Sequence, residues 1–173
     1  MSERRWRILI VGGYGVFGGR IVELLAGEQH LELVVAGRSL TQARAFCTRL
    51  NAYAALRAER FDRAGDATAQ IRTLAPDIIV DASGPFQAYG DDLYRLVQAA
   101  VTLGVNYLDL ADGSGFVGGI TQFDAVAKKK ARSSCRASAV FQCSPPPSAG
   151  NWPRAWPAST RSLAASRHRP TPV

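Results

Sequence analysis

A glycine-rich turn that follows a short apolar run constrains this chain more than any other feature. The run is Arg7–Val11 (RILIV), and the turn after it reads GGYGVFG. Gly13, Gly15 and Gly18 fit the spacing G-x-G-x-x-G, and a helical pattern, Val16–Ala26, follows at once. A strand that passes through such a turn into a helix is the context in which this spacing binds the pyrophosphate of a dinucleotide.

Each glycine of the turn predicts a different contact. Gly13 lets the chain leave the strand sharply, Gly15 leaves room for a pyrophosphate beside bare backbone, and Gly18 lets the helix pack closely on the strand. The main-chain amides at the helix N-terminus attract anions. We expect these amides to be those of residues 14–17, that is Tyr14, Gly15, Val16 and Phe17. The alternative is a purely structural turn in a domain that binds no ligand.

Short apolar runs alternate with helical patterns over residues 1–132. The runs are Arg7–Val11, Leu31–Ala36, Ala54–Phe61, Asp77–Ala82 and Val105–Leu110. The helical patterns are Val16–Ala26, a segment capped by Ser39, a segment capped by Asp66 and ended by Pro76, Leu93–Leu103 capped by Asp91 or Asp92 and followed by Gly104, and Gly119–Arg132. This alternation favours an α/β fold, a doubly wound parallel sheet of Rossmann type with strand order 3-2-1-4-5. A sixth strand is usual in this fold and should begin near residue 135, but we find no sequence there to form it.

The end of the second run indicates which dinucleotide is bound. NAD sites place a carboxylate there to bind the ribose 2′-hydroxyl. Here the chain reads Ala36-Gly37-Arg38-Ser39, and Glu32 comes too early in the run. Arg38 can bind a 2′-phosphate through its guanidinium, and Ser39 can add a hydrogen bond. We therefore favour NADP, with NAD as the alternative. A solvated arginine beside a capping serine is the other interpretation.

Further candidates lie at the ends of later runs. The loop Ser83, Gly84, Pro85, Phe86 follows the fourth run, beside the expected switch point of the sheet, where it can pass close to the nicotinamide ribose or form an ordinary turn. Asp62 follows the third run, where it approaches the adenine or belongs to a surface turn. Asp109 and Asp112 flank the end of the fifth run, and we expect them to cap a loop rather than orient a substrate. Tyr14 and Tyr107 are potential proton donors that we expect to serve in packing.

Residues 133–173 differ in composition from the rest of the chain. They hold seven of the nine prolines, eight serines, five arginines and no acidic residue, so they contribute +5 of the formal net charge of +7. Such a segment buries too little apolar surface to offset its ordering entropy, and we expect a disordered tail. Out-of-frame translation of a GC-rich gene is the alternative. The domains are thus 1–132, a dinucleotide-binding domain, and 133–173, the tail.

Composition excludes several classes of protein. No apolar run approaches the ~18 residues of a membrane helix, and the N-terminal run is too short for a signal peptide, so we expect a cytoplasmic protein. Three cysteines without metal-site spacing argue against a disulfide framework or a zinc site. The arginine tail and Lys128–Lys130 leave nucleic-acid binding as a minor alternative.

At about residues 7–132 the chain resembles the N-terminal cofactor-binding domain of the saccharopine dehydrogenase-like (saccharopine reductase-like) oxidoreductases. The resemblance rests on the segments ILIVGGYGVFGGRIVELLA, VVAGRS, DIIVDASGPFQAYG and GVNYLDLADG. It implies an NAD(P)-dependent enzyme whose glycine turn, Arg38 and Ser83–Phe86 face the cofactor. It also implies a second, substrate-binding domain, which often builds a dimer, so we expect a chain truncated before that domain.

The sequence thus predicts an NADP(H)-binding domain of a hydride-transferring oxidoreductase with an unknown small-molecule substrate. A homodimer is compatible with the resemblance. A non-catalytic module that senses dinucleotides is the first alternative, and turnover of NADPH would exclude it. The catalytic residues are not identified.

Overall fold

The computed structural model describes residues 4–84, 92–111, 114–127 and 140–141. Within them the strands form one sheet in the order β3-β2-β1-β4-β5-β6, and every neighbouring pair is parallel. The strands are β1 (Trp6–Val11), β2 (Leu31–Gly37), β3 (Ala55–Arg60), β4 (Ile78–Asp81), β5 (Asn106–Asp109) and β6 (Val140–Phe141). The predicted α/β class and the order 3-2-1-4-5 are confirmed.

The sixth strand corrects our expectation that the sequence near residue 135 forms none. β6 has two residues, and its Val140 and Phe141 pair with Tyr107 and Leu108 of β5. A pair of residues is too short to stand out as an apolar run, and an existing strand edge supplies the hydrogen-bonding partner. The other residues of the predicted tail lie outside the described part of the chain.

Helices connect the strands and cover both faces of the sheet. They are α1 (Val16–Leu25), α2 (Leu40–Arg49), α3 (Ala67–Leu74), α4 (Arg95–Leu103) and α5 (Ser114–Gly119), which runs into a 3₁₀ turn (Ile120–Phe123). Two of the predicted starts are wrong. Tyr94 is the N-cap of α4, and Asp92 instead binds Arg95. Helical structure begins at Ser114, five residues before the predicted Gly119; residues 124–127 are α-helical as predicted, and residues 128–132 of that prediction lie outside the described residues.

The capping residues expected from the sequence explain the remaining boundaries. The Ser39 hydroxyl accepts a hydrogen bond from the amide of Gln42, and Asp66 accepts one from Ala69. Gly104 ends α4 in the left-handed conformation, with φ at 68°. Such caps satisfy amides and carbonyls that a helix end would otherwise leave unpaired.

Alternation along β1 divides the interior into two apolar cores, one on each face of the sheet. Leu9 and Val11 lie in the core under α3 and α4, whereas Ile8 and Ile10 lie in the core under α1 and α2. Strands buried on both faces require this continuous apolar character. No described helix is long and apolar enough to cross a membrane. Because all the strands are parallel, their carboxyl ends meet at one edge, where ligands bind in such folds.

Candidate dinucleotide site

The glycine turn lies at the carboxyl edge, between β1 and α1. Gly15 is the N-cap of α1, and its amide donates to the Gly12 carbonyl at 2.9 Å. No described side chain caps this helix, and its first turn contains no acidic residue. The first amides of a helix have no acceptor within it, so the N-terminus of α1 presents uncapped donors and a positive dipole end.

Gly12, which the sequence analysis did not single out, is the residue of this turn with a left-handed backbone. Its φ is +79°, and a Cβ there would lie 2.7 Å from the Ala82 carbonyl oxygen and 2.9 Å from the Ser83 Cα. The glycine turn therefore lies directly against the segment that follows β4. The G-x-G-x-x-G spacing places the first glycine one residue later, which is why the signal at Gly12 was missed.

The three glycines of the spacing differ in how much room surrounds them. A Cβ would lie 2.8 Å from the Ile10 carbonyl at Gly13, and 2.2 Å from the Gly12 carbonyl at Gly18, so both positions are closed to side chains by backbone. At Gly15 the same atom would meet only the Gly12 carbonyl, at 3.1 Å. The tight turn and the close packing of helix on strand thus match the predicted roles, and the space beside Gly15 is open.

Val16 and Phe17 extend the open surface of the turn. Their side chains are 86% and 72% exposed, although both are large and apolar. Their amides belong to the first turn of α1, beside the open space at Gly15. An exposed apolar rim around uncapped donors is a surface that a ligand with an anionic group and flat rings can cover.

Tyr14 joins the glycine turn to the turn between β2 and α2. Its hydroxyl accepts a hydrogen bond from the Ser39 amide at 3.0 Å. Its ring lies so close to Gly37 that a Cβ there would be 2.6 Å from the ring and from the hydroxyl. Tyr14 also lines a shallow groove with Gln42, Ala45, Phe46 and Arg49. We expected Tyr14 to serve in packing, and its ring does pack, but its hydroxyl contacts the other predicted cofactor segment.

Arg38 is exposed at the carboxyl end of β2, between buried Gly37 and half-buried Ser39. Glu32, the acidic residue nearest to it in β2, begins the strand and binds the Arg7 guanidinium at 2.9 Å. It therefore lies at the opposite edge of the sheet, as the sequence predicted. The end of β2 carries a positive charge and no carboxylate.

Asp62 belongs to a hydrogen-bonded turn between β3 and α3. Its carboxylate accepts the Ala64 amide at 3.0 Å, and its main chain exchanges two hydrogen bonds with the side chain of Gln70. These contacts agree with the interpretation of Asp62 as part of a surface turn. Because β3 is next to β2, Asp62 still lies at the same edge as Arg38, and a contact with adenine stays a prediction.

The predicted loop after β4 is described only in its first half. Ser83 is half-buried and Gly84 is exposed, whereas Pro85 and Phe86 lie outside the described residues. The Ser83 amide and hydroxyl both donate to one oxygen of Asp81, at 3.1 and 2.5 Å. Asp81 thereby fixes the chain where it passes the glycine turn.

Asp81 lies at the centre of a buried polar cluster that the sequence analysis missed. It is fully buried, and its second oxygen accepts from the Arg63 guanidinium at 3.3 Å and from the Tyr107 hydroxyl at 3.2 Å. Arg63 also donates to the Leu93 carbonyl at 2.9 Å. Burial, with the charges of Asp81 and Asp109, raises the pKa of Tyr107 well above its ordinary value. Tyr107 therefore acts as a hydrogen-bond donor to Asp81.

Asp109 pairs with Asp81 across the β4–β5 ladder and is also buried. One oxygen accepts the Ala111 amide at 3.0 Å, which is the loop-capping role that we expected. The other oxygen, Oδ2, is buried without a hydrogen-bond partner among the described residues. Burial raises the pKa of this carboxyl above its ordinary value, and the nearby Asp81 adds to the shift. Asp112 lies outside the described residues.

The site thus brings together the glycine turn, the end of β2 and the start of the loop after β4. The described residues contain no group of three histidine, cysteine, aspartate or glutamate side chains that could hold a metal ion. Lys128–Lys130, proposed as a minor nucleic-acid surface, lie outside the described part of the chain.

Comparison with solved structures supports the fold. A short-chain dehydrogenase/reductase (glucose/ribitol dehydrogenase) from Brucella melitensis matches with a TM-score of 0.50 and 15% identity, over 78% of this chain and 69% of that one. The dTDP-glucose 4,6-dehydratase from Bacillus anthracis, in complex with NAD, matches with a TM-score of 0.51 and 12% identity, over 78% and 53%. The Bordetella bronchiseptica enzyme WbmG, in complex with NAD, gives 0.45 and 19%, over 62% and 38%. The chain therefore spans only part of the length of these proteins.

Comparison of sequences identifies the family. No curated protein matches the chain. Residues 8–141 match the family model of the saccharopine dehydrogenase NADP binding domain, and these residues are more than half of the chain. The match includes the glycine turn, the ends of β2 and β4, and the short β6. Its fold is that of the Rossmann domains of NAD(P)-binding oxidoreductases. The chain therefore belongs to the family of the saccharopine dehydrogenase NADP binding domain.

Proposed function

We propose that this chain binds NADP(H) in preference to NAD(H) and holds it for hydride transfer to or from a small-molecule substrate. The observation that carries the proposal is the exposed Arg38 at the end of β2, beside a turn of bare backbone and without a carboxylate. A carboxylate there would repel a 2′-phosphate, whereas a guanidinium binds it with charge-assisted hydrogen bonds.

The residues present fit a bound dinucleotide. The open space beside Gly15 is room that a side chain would fill, and it adjoins the uncapped amides of α1. We assign the pyrophosphate to the amides of Tyr14, Val16 and Phe17, with Gly13, Gly15 and Gly18 shaping the turn. Arg38 and Ser39 face the 2′ position, and Ser83 and Gly84 face the nicotinamide ribose. The assignments of Asp62 to the adenine, and of Pro85 and Phe86 to the nicotinamide, are further parts of the proposal.

Bound NADP(H) would supply the hydride carrier, and the chain's own residues would bind and orient it. The turn excludes side chains at Gly13 and Gly18, and Asp81 holds Ser83 beside Gly12. These contacts fix the two loops relative to each other before any ligand binds. Preorganised loops lower the entropy that binding costs. A homodimer and a substrate bound by a further domain are parts of the proposal that follow from the resemblance, and a cytoplasmic location is a further part of it.

Titration of the purified chain with NADPH and NADH, followed by nicotinamide fluorescence, tests the proposal. We expect both to bind and NADPH to bind at least tenfold more tightly. Equal affinities, or tighter binding of NADH, would contradict the NADP preference, and the lack of any binding would contradict the whole proposal. NADPH consumption with candidate imines or keto acids then tests hydride transfer. Binding without turnover of any substrate would favour a dinucleotide-sensing module.

A further inference from the structure

We infer that the Tyr14 hydroxyl is a specificity-determining group that donates a hydrogen bond to the 2′-phosphate of NADP(H). The inference rests on the proposed function, because it assigns a residue within the same site. It starts from a contact between two segments that are 25 residues apart in sequence. The Tyr14 hydroxyl oxygen accepts the Ser39 amide at 3.0 Å, and Ser39 directly follows Arg38.

The contact fixes which way the hydroxyl can act. A tyrosine hydroxyl that accepts a hydrogen bond from an amide keeps its own proton to donate elsewhere. The Ser39 hydroxyl is in the same situation, because its oxygen accepts the Gln42 amide at 3.3 Å. Two hydroxyl groups that can donate therefore lie in the two turns that meet at Arg38, whose own guanidinium can only donate. A phosphate accepts from all three groups.

A ribose 2′-hydroxyl suits this arrangement less well. The usual NAD site offers a carboxylate that accepts the proton of the 2′-hydroxyl. The end of β2 in this chain provides no carboxylate, and Glu32 is bound to Arg7 at the other edge of the sheet. The donors at the 2′ position therefore discriminate in favour of the phosphate, and Tyr14 contributes to this from the glycine turn rather than from β2.

The packing of Tyr14 makes its hydroxyl a fixed donor. Its ring lies so close to Gly37 that any side chain at residue 37 would meet it at 2.6 Å. The ring is thus held between the glycine turn and the end of β2, and the hydroxyl cannot move away without breaking the Ser39 contact. A donor held in place costs little additional entropy when it binds an anion.

Tyr14→Phe tests the inference, because phenylalanine retains the ring against Gly37 and removes only the hydroxyl. We expect the Kd for NADPH to rise about ten- to 100-fold, as for the loss of one hydrogen bond to a charged group, with the Kd for NADH changed less than twofold. Tyr53→Phe is the matched control, since Tyr53 is 80% exposed and precedes β3, at the opposite edge of the sheet. Competition titrations with adenosine 2′,5′-bisphosphate and with ADP restrict the comparison to the adenosine ribose end of the cofactor. In Tyr14→Phe, only the affinity for the bisphosphate should fall.

The outcomes separate the failure of this inference from the failure of the proposed function. If the unaltered chain binds neither cofactor, or binds both equally, the proposed function fails. If the unaltered chain prefers NADPH and Tyr14→Phe keeps the full preference, only the Tyr14 assignment fails. An equal loss for NADPH and NADH would show a merely structural role and would also overturn it. Should the variant not fold, ¹³Cζ-tyrosine resonances of the unaltered chain provide the test: NADPH should shift one that NADH leaves in place, and identical shifts contradict the inference.

Discussion

At the carboxyl edge of the sheet, the β1–β2 side exposes hydrogen-bond donors and a positive charge, whereas the β4–β5 side buries negative charges. At β1–β2 the chain presents bare backbone, uncapped helix amides and the exposed Arg38, with no carboxylate in the turn that follows β2. At β4–β5 it buries two carboxylates, Asp81 and Asp109, with Arg63 and Tyr107 beside them. One side presents exposed donor groups and the exposed Arg38, and the other buries its carboxylates beside their own counter-charge.

The difference teaches where binding energy is available. A buried network that is nearly satisfied contributes rigidity, because each of its members already has a partner. Uncapped amides and an exposed guanidinium keep their interactions for a ligand, which suits an anionic cofactor. The two sides meet where Gly12 lies against Ala82 and Ser83, so the rigid side positions the binding side. Substitutions on the β4–β5 side should therefore change stability, and those on the β1–β2 side should change affinity.

Asp81→Ala is expected to have the largest effect. It removes the acceptor for Arg63, Tyr107 and Ser83 from a fully buried position, and breaking a buried ion pair costs about 3–5 kcal/mol. Chemical denaturation should show this loss in the free energy of unfolding. Glu59→Ala is the control, because it removes a partly exposed ion pair with Arg57 and should cost less than about 1 kcal/mol. Similar losses in the two variants would contradict the division between the two sides.

Gly15→Val is expected to affect binding more than folding, although its Cβ would lie 3.1 Å from the Gly12 carbonyl oxygen and valine is a poor N-cap residue. The backbone at Gly15 has a φ of −77°, which valine can adopt, but the side chain would fill the open space at the N-terminus of α1. We expect the Kd for both NADPH and NADH to rise more than about 100-fold, which corresponds to roughly 2.7 kcal/mol. Gly27→Val is the matched control, since a Cβ there meets nothing within 4 Å. Undiminished cofactor binding by Gly15→Val would place the pyrophosphate elsewhere.

The sequence predicts the β1–β2 side because its signals are local. The spacing of Gly13, Gly15 and Gly18, and the arginine at the end of the second run, lie within short segments whose chemistry can be read directly. The sheet has the expected order of strands, and the family match supports NAD(P) as the class of cofactor. The sequence does not reveal that the Tyr14 hydroxyl contacts Ser39, because that contact depends on how the two turns pack.

The β4–β5 side could not be predicted in the same way. Arg63 and Asp81 are 18 residues apart, and Asp81 and Tyr107 are 26 apart, so only the folded sheet brings them together. In sequence, Asp81 is one acidic residue at the end of an apolar run, and nothing local distinguishes it from a loop cap. β6 was missed for a related reason, since its two residues form a strand only through their pairing with β5.

Arg38→Ala should weaken NADPH binding by a smaller amount than Gly15→Val does. The guanidinium is exposed, so its removal should leave the free energy of unfolding nearly unchanged. We expect a loss of ~1–3 kcal/mol in NADPH binding, typical of one charge-assisted contact, and a smaller loss for NADH. Fluorescence titration at low ionic strength measures both, with Arg44→Ala on the exposed face of α2 as the control. Equal losses for the two cofactors would refute the assignment of Arg38 to the 2′-phosphate.

Asp109→Asn should have the smallest effect, and its sign depends on pH. Burial raises the pKa of Asp109 above 3.8, its ordinary value, so the folded state holds this proton more tightly than the unfolded state does. The protonated carboxyl therefore favours the folded state, and that contribution is lost as pH rises from about 3.8 through the raised pKa. Asparagine does not titrate, and its Oδ1 can still accept the Ala111 amide.

The free energy of unfolding of Asp109→Asn, relative to the unaltered chain, should thus increase as pH rises, reaching a gain of about 1 kcal/mol near neutrality. This is the scale set by the raised pKa, since each pKa unit between the folded and unfolded states corresponds to roughly 1.4 kcal/mol. Asp66→Asn is the matched control for the substitution itself, since Asp66 also accepts a main-chain amide but is exposed. Denaturation at several pH values between 4 and 7 distinguishes the two. A destabilised Asp109→Asn at neutral pH would contradict this expectation and would mean that the carboxylate is preferred to the amide at this position.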